Sequence, residues 1–131
     1  MTQEDKDLLL KDLCARLPYG IKCKVKYTVN NETTYGEDVE KECIDIIKRI
    51  NFDTYSVYTE WLGYESDIED IKPYLRSQSS ITEEEREEYC NTEYIYLSDW
   101  FNEHHFDYRE LIERGLAIAV TEENNPYENN N

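Results

Sequence analysis

The sequence predicts an α+β fold, in which a small twisted antiparallel β-sheet combines with an N-terminal helix and several short C-terminal helices. Residues 3–17 carry leucines at helical spacing, and residues 21–29 alternate strictly between apolar and polar side chains, as in a half-buried strand. Aromatic and helix-capping residues concentrate after position 98. A closed SH3-like barrel is one arrangement that such a sheet allows.

The middle of the chain predicts two further strands joined by a hairpin. Asn30-Asn31-Glu32 predicts a turn, and residues 54–61 are rich in aromatic and β-branched side chains, which favour a strand. Residues 38–50 fit either a helix face or a strand. A turn at residues 51–53 would pair them with the strand that follows, so the strand is preferred.

The next segment is predicted from its helix breakers and caps. Residues 67–71 allow a short strand or one helical turn, and Pro73 favours a loop over residues 72–81. A threonine and a glutamate at capping-box spacing predict a helix over residues 82–89. Residues 91–97 allow a short strand or an extended link.

Two short helices that meet at an aromatic corner are predicted after residue 98. Asp107 and Glu110 have capping-box spacing and predict the second helix over 108–114, which Gly115 ends. The apolar run 115–120 predicts a final strand. The side chains predicted to fill the core at this corner are Trp100, Phe101, Phe106, Tyr108, Leu111 and Ile112.

The chain length predicts one domain over residues 1–120, since 131 residues can bury about two thirds of the unfolded surface. Residues 121–131 are polar and predict a disordered tail. The four cysteines form no Cys-x-x-Cys pair, and no segment has the length and hydrophobicity of a membrane span or a signal peptide. We therefore expect a cytoplasmic protein with reduced thiols.

The charge is strongly acidic and unevenly distributed. The chain has 30 acidic and 14 basic residues and a formal net charge of −16. Residues 81–131 contain 14 of the acids but 3 of the bases, so they carry −11 of this charge. Such a surface repels nucleic acids and anionic membranes, and we expect neither as a direct partner. It suits a basic protein partner, or simply solubility.

Glu103, His104, His105 and Asp107 are the one cluster of potential ligand or catalytic residue types in the sequence. Adjacent residues of a helix point in different directions, so neighbouring histidines do not readily share one metal ion. No Gly-x-Ser-x-Gly motif or Gly-rich phosphate loop is present. We predict no catalytic residue, metal or cofactor, with one histidine packed at the corner and the other exposed. A small metal-dependent or histidine-dependent hydrolase is the alternative.

Twelve tyrosines are many for this chain length, and tyrosine suits a protein-binding surface as well as a small core. We predict a non-enzymatic protein whose acidic C-terminal half binds a basic protein, in the sharpest form as a nucleic-acid mimic or inhibitor. A structural subunit of a larger assembly is a further alternative. The predicted binding residues are Glu84, Glu87, Glu88, Tyr94, Tyr96, Glu103, His104 and His105.

Two motifs carry a resemblance to a protein family. They are Lys72-Pro-Tyr-Leu-Arg76 followed by Ser79-Ser-Ile-Thr-Glu-Glu-Glu85, and Trp100-Phe-Asn-Glu-His-His-Phe-Asp-Tyr-Arg109 followed by Leu111-Ile-Glu-Arg-Gly-Leu-Ala117. With the N-terminal helix, they resemble small uncharacterised proteins of gut bacteria and their prophages. Ser77-Gln78 stands where that pattern has Pro-Met, and Glu110 where it has Gly. The resemblance implies a prophage or mobile-element setting in a bacterial host cell, and no catalytic residues.

Overall fold

The computed structural model describes residues 1–30 and 37–128 and confirms the predicted α+β fold. Its helices are α1 (Gln3–Arg16), α2 (Glu83–Cys90) and α3 (Leu97–Glu103). Its strands are β1 (Lys22–Asn30), β2 (Asp38–Asn51), β3 (Ser56–Thr59), β4 (Glu65–Asp67), β5 (Ile71–Leu75) and β6 (Ile118–Ala119). Single 3-10 turns cover Leu17–Tyr19, Ile68–Asp70, Gln78–Ser80 and Tyr94–Tyr96. The turn predicted at 30–32 lies mostly outside the described residues.

The six strands form one sheet in the order β4-β3-β2-β1-β5-β6. Central strand β1 is antiparallel to both β2 and β5, and the strand preferred for residues 38–50 is β2. The sheet is mixed rather than wholly antiparallel, because β5 and β6 run parallel. Its strands form an open series with β4 and β6 at the edges, so an SH3-like barrel is not confirmed.

The main core lies between α1 and the inner face of the sheet. Helix α1 begins where the Thr2 hydroxyl accepts a hydrogen bond from the Asp5 N–H at 3.1 Å, and it ends before a turn at Gly20 with φ +68°. The strict alternation of β1 puts its odd-numbered apolar side chains on this inner face. The fully buried core side chains include Leu9, Leu10, Leu13, Ile21, Cys23, Val25, Ile47, Val57, Ile68, Ile71, Leu75 and Leu111.

The aromatic corner forms a separate cluster beside this main core. The rings of Trp100 and Phe106 stack with centroids 5.6 Å apart, and Phe101 meets Phe106 edge to face at 6.3 Å. Among the residues predicted for this corner, Trp100, Phe106 and Leu111 are buried, whereas Phe101, Tyr108 and Ile112 are half-buried.

The loop predicted over residues 72–81 is wrong at its start, because residues 71–75 form β5 and lie against the central strand. Pro73 pairs with Cys23 of β1 on one side, while β6 pairs with Tyr74 and Leu75 but not with the proline. Proline is tolerated in a strand where one side needs no backbone donor. Sequence periodicity misses this short strand because four of its five side chains are buried and Lys72 alone is exposed, so no regular alternation results.

The helix predicted over residues 108–114 is also wrong, since the segment is a series of turns. Asp107 does accept backbone hydrogen bonds as a cap would, from the N–H groups of Leu111 at 3.0 Å and Ile112 at 2.9 Å. Glu110 adopts φ +60°, however, and a left-handed residue interrupts a right-handed helix. The strand or extended link considered for residues 91–97 is instead a 3-10 turn leading into α3.

Within the segment 121–131, which the sequence predicts as a polar tail, Pro126 and Tyr127 form hydrogen bonds to the sheet. The Tyr127 hydroxyl accepts a hydrogen bond from the Lys22 N–H at 3.1 Å and donates one to the Tyr74 carbonyl at 2.8 Å. The Lys22 ammonium donates to the Pro126 carbonyl at 2.7 Å. An aromatic side chain with two partly buried backbone hydrogen bonds therefore holds this part of the polar segment in place.

Candidate functional site

Helix α2 presents a row of carboxylates to solvent. It has the capping box that the sequence predicts: the Thr82 hydroxyl accepts from the Glu85 N–H at 3.1 Å, and the Glu85 carboxylate accepts from the Thr82 N–H at 3.0 Å. None of the side chains of α2 is buried. The predicted binding residues Glu84 and Glu87 are exposed.

The turn that joins α2 to α3 exposes three large side chains in succession. Tyr94 is 87% exposed, Ile95 69% and Tyr96 55%. Contiguous exposed apolar and aromatic side chains are uncommon on soluble proteins and mark interaction surfaces. We name the exposed side chains of Glu84, Glu87, Tyr94, Ile95 and Tyr96 the α2–α3 face.

An apolar cavity of about 360 Å³ opens between the same two helices. Its lining includes Tyr89 and Cys90 from α2, Phe101 from α3, and Phe106 from the segment that follows. A cavity with such walls can receive an apolar side chain of a bound partner.

Arg76, which follows β5, bonds to α2 within a network of titratable groups. Its guanidinium donates to both carboxylate oxygens of Glu85 at 2.7 Å, and these hydrogen bonds lower the pKa of Glu85 to about 2. His104 lies between two carboxylates, with Nδ1 3.4 Å from Glu85 and Nε2 3.5 Å from Glu88. The Glu88 carboxylate also accepts the indole N–H of Trp100 at 3.0 Å. Glu88 and His104 therefore connect α2 to α3.

His105 is held in an unusual conformation. Its backbone has φ +62°, and its carbonyl accepts a hydrogen bond from the Arg76 N–H at 2.7 Å. Its ring stacks on Tyr127 with centroids 3.8 Å apart and planes 10° apart. Burial, and secondly the nearby charge of Arg16, lower the pKa of His105 to about 4. The imidazole is therefore neutral at pH 7.

Both histidines and Glu103 line one open cavity of about 890 Å³, together with Arg76 and Tyr127. The structure thus brings together three of the predicted binding residues: Glu103, the last residue of α3, and the two histidines that follow it. Their positions are unequal, since Glu103 is exposed whereas both histidines are half-buried.

The chemistry available in this cavity follows from the free atoms of the two rings. Both nitrogens of His104 approach carboxylates, but its Nε2, like Nδ1 of His105, is buried without a hydrogen-bond partner among the described residues. Within residues 1–30 and 37–128, no three His, Cys, Asp or Glu side chains are placed to hold a metal ion. A neutral imidazole can accept a proton, which is the role it would have in general base chemistry.

Sequence reasoning missed Arg76, Glu85 and Tyr127, which position the predicted histidines. The sequence identified Glu85 only as a helix cap. No local pattern shows that its carboxylate also binds the guanidinium of an arginine nine positions earlier. Tyr127 lies in a polar segment, where one aromatic residue among asparagines and glutamates was the available hint.

No protein-family model matches the chain, and no curated protein or solved structure matches it either. No helix in the described part of the chain is both long and apolar enough to cross a membrane.

Proposed function

We propose that this chain is a non-enzymatic acidic protein of a prophage or mobile element, which binds a basic protein in the cytoplasm of the bacterial host. The α2–α3 face is the binding surface. The excess of carboxylates over bases after residue 80 supports a basic partner, since complementary charge accelerates encounter and disfavours other partners. The same charge disfavours direct binding to nucleic acid or to anionic membranes.

The exposed turn at Tyr94, Ile95 and Tyr96 is the observation that carries this proposal. Acidic surface alone would explain solubility, but solubility does not require three large exposed side chains next to an acidic helix. Tyrosine contributes strongly to binding energy at protein interfaces because its rigid ring gives contact area at a low entropic cost. The apolar cavity between α2 and α3 offers a pocket for a partner side chain.

Nucleic-acid mimicry is the sharpest form of the proposal. Glu83 and Glu87 are exposed one helical turn apart, and Glu84 and Glu88 repeat that spacing. A regular series of anions resembles the phosphates that a nuclease or DNA-binding protein contacts through lysine and arginine. Binding of this kind would block the partner's nucleic-acid site.

The test compares capture of host proteins by the native chain and by the triple variant Glu84→Lys, Glu87→Lys, Tyr94→Ala. The matched control Phe52→Ala, Asp53→Lys, Glu60→Lys makes the same charge change and removes another exposed ring. We expect a basic protein that binds the native chain and the control, is released by added salt, and is lost with the triple variant. Duplex DNA should displace it if the chain is a mimic. The proposal would be overturned if a captured partner bound the triple variant and the control equally, or if the native chain captured no basic protein.

A histidine-dependent hydrolase is the second candidate, because Glu103, His104 and His105 line one cavity. The neutral ring of His105 would be the base. This candidate is tested by screening generic ester and phosphoester substrates with the native chain and with His105→Gln. Hydrolysis that disappears in a folded His105→Gln protein supports it, whereas equal rates in both proteins exclude a catalytic role for this ring.

A further inference from the structure

A second hollow adjoins the apolar cavity between α2 and α3. It has a volume of about 590 Å³ and is lined by Glu83, Arg86, Glu87, Cys90 and Asn91, which belong to α2 and its C-terminal cap. Arg86 and Cys90 line both spaces. These two residues lie one turn apart on α2, so one row of the helix separates an apolar cavity from a hollow bordered by carboxylates.

The walls of the apolar cavity are held by contacts between aromatic rings. The Tyr89 ring of α2 meets Trp100 and Phe101 of α3, with centroids 5.7 Å and 5.6 Å apart. The guanidinium of Arg76 lies over the Phe106 ring, 4.2 Å from its centroid. The cavity is therefore formed before a partner arrives, which lowers the entropic cost of binding.

The size of this cavity suits an aromatic side chain. Its volume is about 360 Å³. An engineered apolar cavity of about 150 Å³ in another protein holds benzene. Ile81 and Phe101 in the wall are half-buried. A ring that enters would exchange water for contact with these side chains, and burial of this kind is the main source of binding energy for an apolar group.

Negative charge surrounds the second hollow. Glu83, Glu84, Glu87 and Glu88 are exposed on α2, and Arg86 is the one base in that helix. This charge disfavours a second copy of the chain as the occupant, because each copy has a formal net charge of −16. It favours a lysine or arginine of another protein.

We infer, on the basis of the function proposed above, that the basic protein binds through a segment in which an apolar side chain is flanked by lysine or arginine. The apolar side chain would enter the cavity, and a flanking cation would lie in the second hollow beside Glu83 and Glu87. The two spaces lie within the width of one helix, about 10 Å, which an extended chain spans in about three residues. Anchor and cation are therefore close neighbours in the partner's sequence.

The probe is the peptide acetyl-Lys-Lys-Phe-Lys-Lys-amide, and two matched peptides are its controls. One control has serine in place of phenylalanine, and the other has glutamine in place of each lysine. Amide chemical shifts of the native chain measure binding at about 0.15 M salt, which screens general attraction to an acidic surface. We expect each control peptide to bind at least about tenfold more weakly, since one loses the burial of a ring and the other its charged hydrogen bonds.

Two exposed cysteines of the native chain give an internal comparison. Cys90 lines both hollows, whereas Cys14 lies on α1 and lines neither. Saturating phenylalanine peptide should slow the alkylation of Cys90 by iodoacetamide at least about threefold and leave that of Cys14 unchanged, because thiol reactivity depends on access. Mass spectrometry of the digested protein gives both rates.

A substitution that narrows the cavity gives a second measurement. Cys90→Phe should weaken binding of the phenylalanine peptide by at least about tenfold, because its own ring takes the space of the anchor. Cys14→Phe makes the same change at another exposed position and should leave binding unchanged.

Equal affinity for the phenylalanine and serine peptides, or equal slowing of alkylation at Cys14 and Cys90, would overturn the inference, because binding would then follow overall charge. Equal affinity for the lysine and glutamine peptides would overturn it as well. Capture of host proteins decides the proposed function separately. A basic protein that is lost with the triple variant but retained by Cys90→Phe supports the α2–α3 face and excludes the cavity as the anchor site. Peptide binding without any captured basic protein overturns the function and leaves the chemical preference of the cavity.

Discussion

Arg16 and Asp12 lie one turn apart in α1, and both side chains are completely buried. Nε and Nη2 of Arg16 donate to the Asp12 carboxylate at 2.8 Å and 3.2 Å. Nη2 also donates to the Phe106 carbonyl at 2.6 Å, and Arg109 donates to the same carboxylate at 2.7 Å. One aspartate thus joins the N-terminal helix to the aromatic corner.

Replacing Asp12 by alanine should destabilise the protein strongly. The change leaves the charge of Arg16 buried without its partner, and breaking a buried ion pair in this way costs about 3–5 kcal/mol. Urea denaturation of the native chain and the variant measures the difference. Lys11→Ala, at the exposed neighbouring position, should change stability by less than about 0.5 kcal/mol. A loss below about 1 kcal/mol for Asp12→Ala would show that the network contributes little.

The stability should fall in mild acid because of His105. Its pKa is about 4 in the folded protein, mainly because of burial, and about 6.5 in an unfolded chain. The unfolded state therefore binds the proton first, so the stabilisation is present above pH 6.5 and is lost as the pH falls to about 4. After allowance for partial exposure, we expect a loss of about 1–3 kcal/mol across that range.

Two measurements check this expectation. The imidazole proton resonances should show one histidine that titrates near pH 4 in the native chain. The free energy of unfolding of His105→Gln should depend less on pH between 6.5 and 4 than that of the native chain. A midpoint near 6.5 for both histidines would contradict the buried environment of His105.

Tyr127→Phe should destabilise the protein by about 1–3 kcal/mol, the cost of leaving buried polar groups unpaired. The lost hydroxyl accepts from the Lys22 N–H and donates to the Tyr74 carbonyl, while the ring stack on His105 is kept. Thermal and urea unfolding give the difference. Tyr94→Phe removes an exposed hydroxyl and should leave stability unchanged, so equal behaviour of the two variants would mean that the C-terminal segment is not anchored.

Glu110→Gly should stabilise the protein by about 0.5–1 kcal/mol. Glu110 is left-handed, a conformation that costs an L-residue about 1–2 kcal/mol. Glycine removes this cost, and the gain exceeds the extra conformational entropy that glycine loses on folding. Glu110→Ala is the matched comparison, because alanine retains the Cβ atom that makes the left-handed backbone unfavourable. If the Glu110→Ala and Glu110→Gly proteins have the same free energy of unfolding, the backbone at this position is not left-handed.

The sequence predicted the elements whose signal is local. The alternation in β1, the leucine spacing in α1 and the capping box of α2 each arise from a few neighbouring residues, and each appears in the structure. The capping-box pattern at Asp107 shows the limit of such signals. The carboxylate finds the backbone donors it needs, but Glu110 turns the chain left-handed and no helix follows.

By itself, the sequence determined the α+β class, the central amphipathic strand and the excess of negative charge, because periodicity and composition depend on residue type alone. Only the tertiary structure decided that Pro73 lies in a strand, that Tyr127 anchors the C-terminal segment, and that Arg16 reaches the Phe106 carbonyl. Those outcomes depend on contacts between residues far apart in the chain. Their energies come from burial and pairing, which no single segment of sequence contains.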